Sequence, residues 1–261
     1  MSQREEALKA AARIIETIGR VFCDPEVNPI YKKYENDNEV FYHLMLFLWP
    51  GIATNRPKSI EELKEKPPDP ETLWKRYEEI LRMGRSEDSY IDSLIDFIVL
   101  VGWKTIQIEN VAKGILEIVK LWKELNDRGY GLRDLYRYFR DRYGADFLDE
   151  LLSKLDDIPQ IDRKKALMFL RDYIIKSELQ SEAPLQELPV LDQPDVKRVM
   201  KRVGFTETED ISEVREAAQR YFEVPVIADI GLWYVGRNFC HGNREPECDR
   251  CPLKDYCERN L

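Results

Sequence analysis

No run of about 18 apolar residues occurs in the chain, so no membrane-crossing helix is expected. No secretory leader is expected either. Met1-Ser2-Gln3-Arg4-Glu5-Glu6 runs directly into a charged helical pattern, and the expected location is cytoplasmic. Strand-like alternation of convincing length is absent, as are internal repeats and low-complexity tracts. These absences point to an all-α chain with short loops. An excess of positive charge is lacking too. The net charge is −9 over 261 residues, which argues against a general polyanion binder. A local basic face is still compatible with that sum, because charge acts mainly within about one Debye length. Cysteine is scarce, with five residues in all. Without a leader that number fits a reducing compartment and metal binding better than a disulfide scaffold.

What is present is mostly helical pattern. Apolar spacing predicts helices near 3–21, 38–49, 71–84, 88–101, 106–124, 131–142 and 146–155. A hairpin of two helices is predicted over 151–170, and further helices begin at Pro194, near 211–222 and near 226. The polar, proline-rich stretch 57–71 reads as a surface loop around a short helical run, and Cys23 as a small buried hydrophobe.

The most specific signal is the tail. Cys240, Cys248, Cys251 and Cys257 fall at C-x7-C-x2-C-x5-C. Four thiolates so close in sequence make a tetrahedral donor set for a soft metal centre. A zinc site usually takes two CxxC knuckles, whereas here one CxxC is flanked by single cysteines. Zinc and an iron–sulfur cluster are both open on spacing alone. His241 could replace a ligand or serve as a loop histidine.

This tail resembles the cluster loop of the endonuclease III and adenine glycosylase family of DNA repair enzymes. The shared points are one CxxC, the Cys251-Pro252-Leu253 step and a last cysteine five residues on. The first gap here is seven residues, where the family usually has six. The resemblance implies a [4Fe-4S] cluster on the four cysteines. It continues upstream. Residues 151–170, with Ile158-Pro159, Ile161, Arg163-Lys164 and Ala166, look like the family's helix–hairpin–helix motif. That motif cradles a DNA phosphate with backbone amides at a helix N-terminus. Gln160 and Asp162 stand where family hairpins carry glycine, and a carboxylate beside a phosphate is unfavourable. Of the two, Asp162 is the residue type that better tolerates the left-handed region. Lys164 falls at the family's nucleophilic lysine, with Lys165 as the alternative. A solvated basic helix face is the plain reading of both.

Leu188-Pro189-Val190-Leu191-Asp192-Gln193-Pro194-Asp195-Val196-Lys197-Arg198-Val199 is similar to the catalytic-aspartate segment of the adenine-glycosylase branch. Asp192 matches the catalytic aspartate and Asp195 is the alternative. Helix capping is the plain reading of either. Thr54, Asn55 and Arg56 follow an apolar helix as a DNA-touching loop does in the family, but its usual glutamine-threonine pair is absent and an ordinary capped loop is the plain reading. Gly102-Trp103 looks like the family's glycine-aromatic turn.

The resemblance implies a two-lobed helix–hairpin–helix glycosylase fold. Residues 37–185 would form a six-helix domain, and 1–36 with 186–261 an iron–sulfur domain, with DNA in the cleft and the target base flipped out. The implied protein is a monomer in the cytoplasm, associated with the nucleoid. Its partner is double-stranded DNA with a lesion or mismatch, contacted by Gln160, Asp162, Arg163, Lys165, Lys197, Arg198 and Arg202. The implied activity is DNA N-glycosylase of base-excision repair, with AP-lyase activity if Lys164 is nucleophilic. A catalytically degenerate iron–sulfur DNA-binding protein is the alternative, and a zinc-stabilised helical protein is a third reading.

Overall fold

The computed structural model describes residues 3–48, 68–100, 107–179 and 188–258. Every regular element among the described residues is helical, so the chain is all-α. No described helix is long and apolar enough to cross a membrane. The expected contacts Thr54, Asn55 and Arg56 and the Gly102-Trp103 turn lie outside the described residues. The chain divides into two compact units, Met1–Lys33 with Ile174–Leu261, and Tyr34–Tyr173.

The Tyr34–Tyr173 unit holds α2 (Asp37–Phe47), α3 (Pro70–Arg82), α4 (Glu87–Leu100), α5 (Ile108–Asn126), α6 (Leu135–Tyr143), α7 (Phe147–Asp156) and most of α8 (Arg163–Lys176). Local chemistry starts several of them. Asn36 caps α2 by accepting from the Glu39 N–H at 3.2 Å, and Asp69 caps α3 by accepting from the Thr72 N–H at 2.8 Å. Pro70 then takes the first helical position, where its missing donor costs nothing. The stripe predicted on α5, Val111, Ile115, Ile118, Val119 and Trp122, is buried.

The other unit is built on α1 (Gln3–Phe22), α9 (Pro194–Val203), α10 (Ile211–Tyr221) and α11 (Pro225–Asn238). Helices α1 and α11 approach closely because glycines face backbone on both sides. A Cβ at Gly231 would meet the Ile15 carbonyl oxygen at 2.1 Å, and one at Gly19 would meet that of Ile227 at the same distance. Buried Glu16 of α1 accepts the Val224 N–H at 2.7 Å and so completes the start of α11. Gly204 ends α9 in the left-handed conformation, φ 97°, with the Phe205 N–H returned to the Met200 carbonyl at 3.0 Å. The core runs through Ile15, Val196, Val199, Met200, Val214, Leu232 and Leu253, and Cys240, Cys251 and Cys257 pack against it.

Candidate functional site

The hairpin of the Tyr34–Tyr173 unit forms as a tight turn. The Ile161 N–H donates to the Ile158 carbonyl at 2.9 Å, closing a four-residue turn with Pro159 and Gln160 at its centre. Gln160 takes the left-handed position, φ 75°. The sequence suggested Asp162 as the residue suited to that region, and here the structure corrects it. Asp162 caps α8, with its carboxylate accepting the Lys165 N–H at 2.8 Å and its carbonyl accepting the Ala166 N–H at 2.9 Å. Its own carboxylate therefore occupies the helix N-terminus where a phosphate would be cradled.

The two lysines separate clearly. Lys164 is exposed in the first turn of α8. Lys165 is only 8% exposed. Its ammonium donates to the Phe47 carbonyl at 2.9 Å and to the Gln160 carbonyl at 2.6 Å. It thus ties the end of α2 to the hairpin turn, a structural use in place of the DNA contact or nucleophile expected of it. Arg163 is exposed and pairs with Asp149 at 3.2 Å.

In the other unit, Asp192 lies in the irregular segment before α9, between buried Leu191 and Pro194. Its carboxylate faces outward, with the side chain 51% exposed, and pairs with the Lys197 ammonium at 2.8 Å. Neither aspartate is the cap of α9, because Gln193 holds that place without a side-chain bond. Asp195, one turn position inside, pairs with Arg198. Arg198 is nearly buried. Besides Asp195 it donates to the Cys240 carbonyl at 2.6 Å and to the Gly236 carbonyl at 3.3 Å. Arg202 donates to the Cys240 sulfur at 3.4 Å and to the His241 carbonyl at 3.0 Å. Both guanidiniums, expected to contact DNA, are hydrogen-bonded to the cysteine loop. Gln160 and Lys197 are likewise engaged within the chain.

The four cysteines, spread over 18 residues of chain, line one pocket together with Arg202, Phe239, Pro246 and Lys254. Among the described residues no three Cys, His, Asp or Glu side chains converge on a single-ion site. A lone tetrahedral zinc needs its sulfurs roughly 3.8 Å apart, from Zn–S bonds of about 2.3 Å. A polynuclear cluster gives each thiolate its own iron, so its sulfurs surround a common space. The donor set, all sulfur and bordering one pocket with two cationic neighbours, fits an anionic thiolate-bound cluster. Burial pushes the Cys251 thiol up, and the three other cysteines add to that, so a cation bound at Cys251 would favour its thiolate. The Cys257 thiol donates to the Arg202 carbonyl at 3.2 Å and must release it to act as a ligand. His241 is buried, and its Nε2 accepts from Arg244 at 2.7 Å, which fixes it as a loop histidine. Glu247, which no sequence signal singled out, pairs with Arg250 at 2.8 Å and with Arg244 at 3.5 Å across the same loop.

No family model matches the sequence, and no curated protein does. Among solved structures, the chain is similar to a trapped endonuclease III–DNA covalent intermediate in an estranged-adenine complex. Identity is 16%, coverage is 99% of this chain and 97% of that one, and the TM-score is 0.47.

Proposed function

We propose that the protein is an iron–sulfur DNA N-glycosylase of base-excision repair, acting on double-stranded DNA that carries a damaged or mismatched base. The observation that carries this reading is the cysteine pocket. Four thiols, spaced as in the family's cluster loop except for one extra residue in the first gap, border one space, and Arg202 of α9 is hydrogen-bonded to one of them. Helix α9 is also the helix that Asp192 precedes. Cys240, Cys248, Cys251 and Cys257 would hold a [4Fe-4S] cluster. Bound there, it supplies charge compensation and order to the loop, and the bond-breaking groups lie elsewhere.

Asp192 would supply a fixed negative charge to the sugar as positive charge develops during departure of the base. Its outward carboxylate and ion pair with Lys197 suit that role. Lys164 is the proposed nucleophile of a lyase step, since it is exposed at the head of α8 whereas Lys165 is committed to two carbonyls.

The second reading is a DNA-binding protein of the same fold without catalysis, and in either reading the hairpin would hold DNA less tightly than a glycine hairpin does. Asp162 fills the anion site of its own hairpin. One experiment decides between them. Anaerobically purified protein is presented with duplexes carrying uracil, hypoxanthine, an oxidised pyrimidine, or adenine opposite 8-oxoguanine, with and without borohydride. The enzyme reading expects a brown protein, base release from at least one duplex, loss of release in Asp192→Asn, and a trapped adduct that Lys164→Ala abolishes. Duplex binding with neither release nor trapping across the panel rejects the enzyme and leaves the binding protein. A colourless sample containing zinc rejects the cluster.

A further inference from the structure

Asp229 lies on α11 and is fully buried, at 0% exposure. Its surroundings include the apolar core formed by Val190, Ala228 and Leu232. A carboxylate removed from water is costly unless its oxygens are met by donors. One donor is known. The Leu191 N–H binds Asp229 Oδ1 at 2.8 Å. Leu191 is the residue immediately before Asp192.

The chain around that bond belongs to no helix, so no repeating ladder of backbone bonds fixes its course. Its order comes from a few individual contacts. Val190 and Leu191 are buried side by side. The Gln193 N–H turns back to the Leu191 carbonyl at 2.8 Å, and the Gln193 carbonyl then accepts the first bond of α9 from the Lys197 N–H at 3.0 Å. Asp192 is left at the tip of this bend, pointing outward. Helix α11 backs the whole segment. Two turns beyond Asp229, Gly236 packs against Asp195, where a Cβ would meet the Asp195 carbonyl oxygen at 2.8 Å. One buried carboxylate thus holds one end of the bend, and a glycine contact holds the other.

We propose that Asp229 is the positioning residue of Asp192. It anchors the Leu191 amide from beneath and so fixes where the Asp192 carboxylate stands. The inference rests on the reading of Asp192 as the reacting-site carboxylate. The Asp229 side chain suits this task because its Oδ1 accepts the Leu191 N–H from a fixed, buried position on α11. Asparagine preserves one accepting oxygen, whereas alanine preserves none.

The test uses the full chain purified with its metal centre, in the forms wild type, Asp229→Ala, Asp229→Asn and Asp192→Asn. Single-turnover rate is read on a duplex with one abasic site, or on the lesion duplex identified by the panel if base release is the sole activity. Affinity for the same duplex is read by fluorescence anisotropy. Misplacement of a reacting group by about 1 Å can cost on the order of 100-fold. Asp229→Ala is therefore expected to slow the rate by roughly 10- to 100-fold with duplex affinity within about twofold, and Asp229→Asn to recover most of the rate. Amide hydrogen exchange supplies a readout that does not depend on activity. The Leu191 amide is expected to be protected in the wild type and to lose that protection in Asp229→Ala, while Val235 in α11 keeps its own. A wild-type rate in Asp229→Ala overturns the proposal, as does a Leu191 amide that exchanges freely in the wild type. If Asp229→Ala does not fold, wild-type exchange and the Asp229→Asn rate decide. If the wild type neither cleaves nor releases a base, the glycosylase reading fails, and the exchange result alone decides whether Asp229 positions this segment.

Discussion

The hairpin at 158–165 and the segment at 190–195 both carry a resemblance to working parts of a glycosylase, and the fold treats them in opposite ways. In the hairpin, most polar groups named are bonded to backbone, and Lys164 is left exposed. Asp162 caps its own helix, Lys165 holds two carbonyls, and Gln160 is spent on the turn. In the aspartate segment, the buried groups turn inward so that one polar group can face out. Asp229 and Arg198 hold the backbone, and Asp192 remains exposed. Charge in the first region builds structure. Charge in the second is divided between building structure and presenting a carboxylate.

The largest effect that breaks this contrast is expected at Gly231. Asp192 is presented from α11, and α11 keeps its place because Gly231 lets the Ile15 carbonyl approach. Gly231→Ala is expected to destabilise the unit by about 3 kcal/mol, since the clash is with backbone and cannot be relieved by a rotamer change. At roughly 3–6 °C per kcal/mol for a unit of this size, the melting temperature should fall by roughly 9–18 °C, read by calorimetry. A loss of under ~1 kcal/mol would mean that α1 and α11 are less tightly apposed than the structure has them.

The hairpin has its own equivalent in Lys165. Lys165→Met keeps the aliphatic stem but leaves the Phe47 and Gln160 carbonyls without their shared donor. The expected cost is about 2 kcal/mol in denaturant unfolding, because buried acceptors lose a charged partner. Lys164→Met, one residue away on the exposed side, should stay within roughly 0.5 kcal/mol of the wild type. Equal costs at the two positions would erase the distinction drawn between them.

These two lysines also mark where sequence stops being informative. Apolar periodicity was enough to place the helices because it acts over three or four residues, the same range over which the caps Asn36 and Asp69 are seen to act in the structure. The cysteine spacing likewise pointed to a shared donor set. Lys164 and Lys165 are the same residue type in adjacent positions, and what separates them is the Phe47 carbonyl, 118 residues away. The same holds for Arg198, whose partner carbonyls at Gly236 and Cys240 follow 38 and 42 residues later. Arg198 and Arg202 read as part of a basic helix face until these distant acceptors are brought in by the fold. Asp229 carried no motif at all. A lone acidic residue inside the apolar run Val226 to Val235 was its only trace in the sequence.

Asp162 offers a sharper probe than either lysine, because its cap and its charge can be separated. Asparagine caps a helix about as well as aspartate, so Asp162→Asn should leave stability within about 0.5 kcal/mol. It also removes a negative charge from the place where a DNA phosphate would sit. If the hairpin faces DNA, affinity for a duplex at low salt should rise by roughly fivefold, equivalent to ~1 kcal/mol, and the gain should shrink as salt is added. Unchanged affinity by anisotropy would place the hairpin away from the DNA surface and remove this part of the functional reading.

The smallest effect is expected at Gln160, and it tests whether the turn itself is under strain. A non-glycine residue in the left-handed region costs roughly 1–2 kcal/mol, and Gln160 sits there at φ 75°. Glycine would remove that cost but adds conformational freedom to the unfolded chain, which takes back roughly 0.5–1 kcal/mol. Lys165 bonds to the Gln160 carbonyl, which belongs to the backbone and survives the substitution. Gln160→Gly is therefore expected to stabilise the protein by about 0.5 kcal/mol, seen as a higher denaturant midpoint at unchanged slope. Destabilisation instead would show that the Gln160 side chain contributes more than its backbone costs. The hairpin would then be held by Gln160 side-chain contacts as well as by the Asp162 cap and the buried Lys165 ammonium.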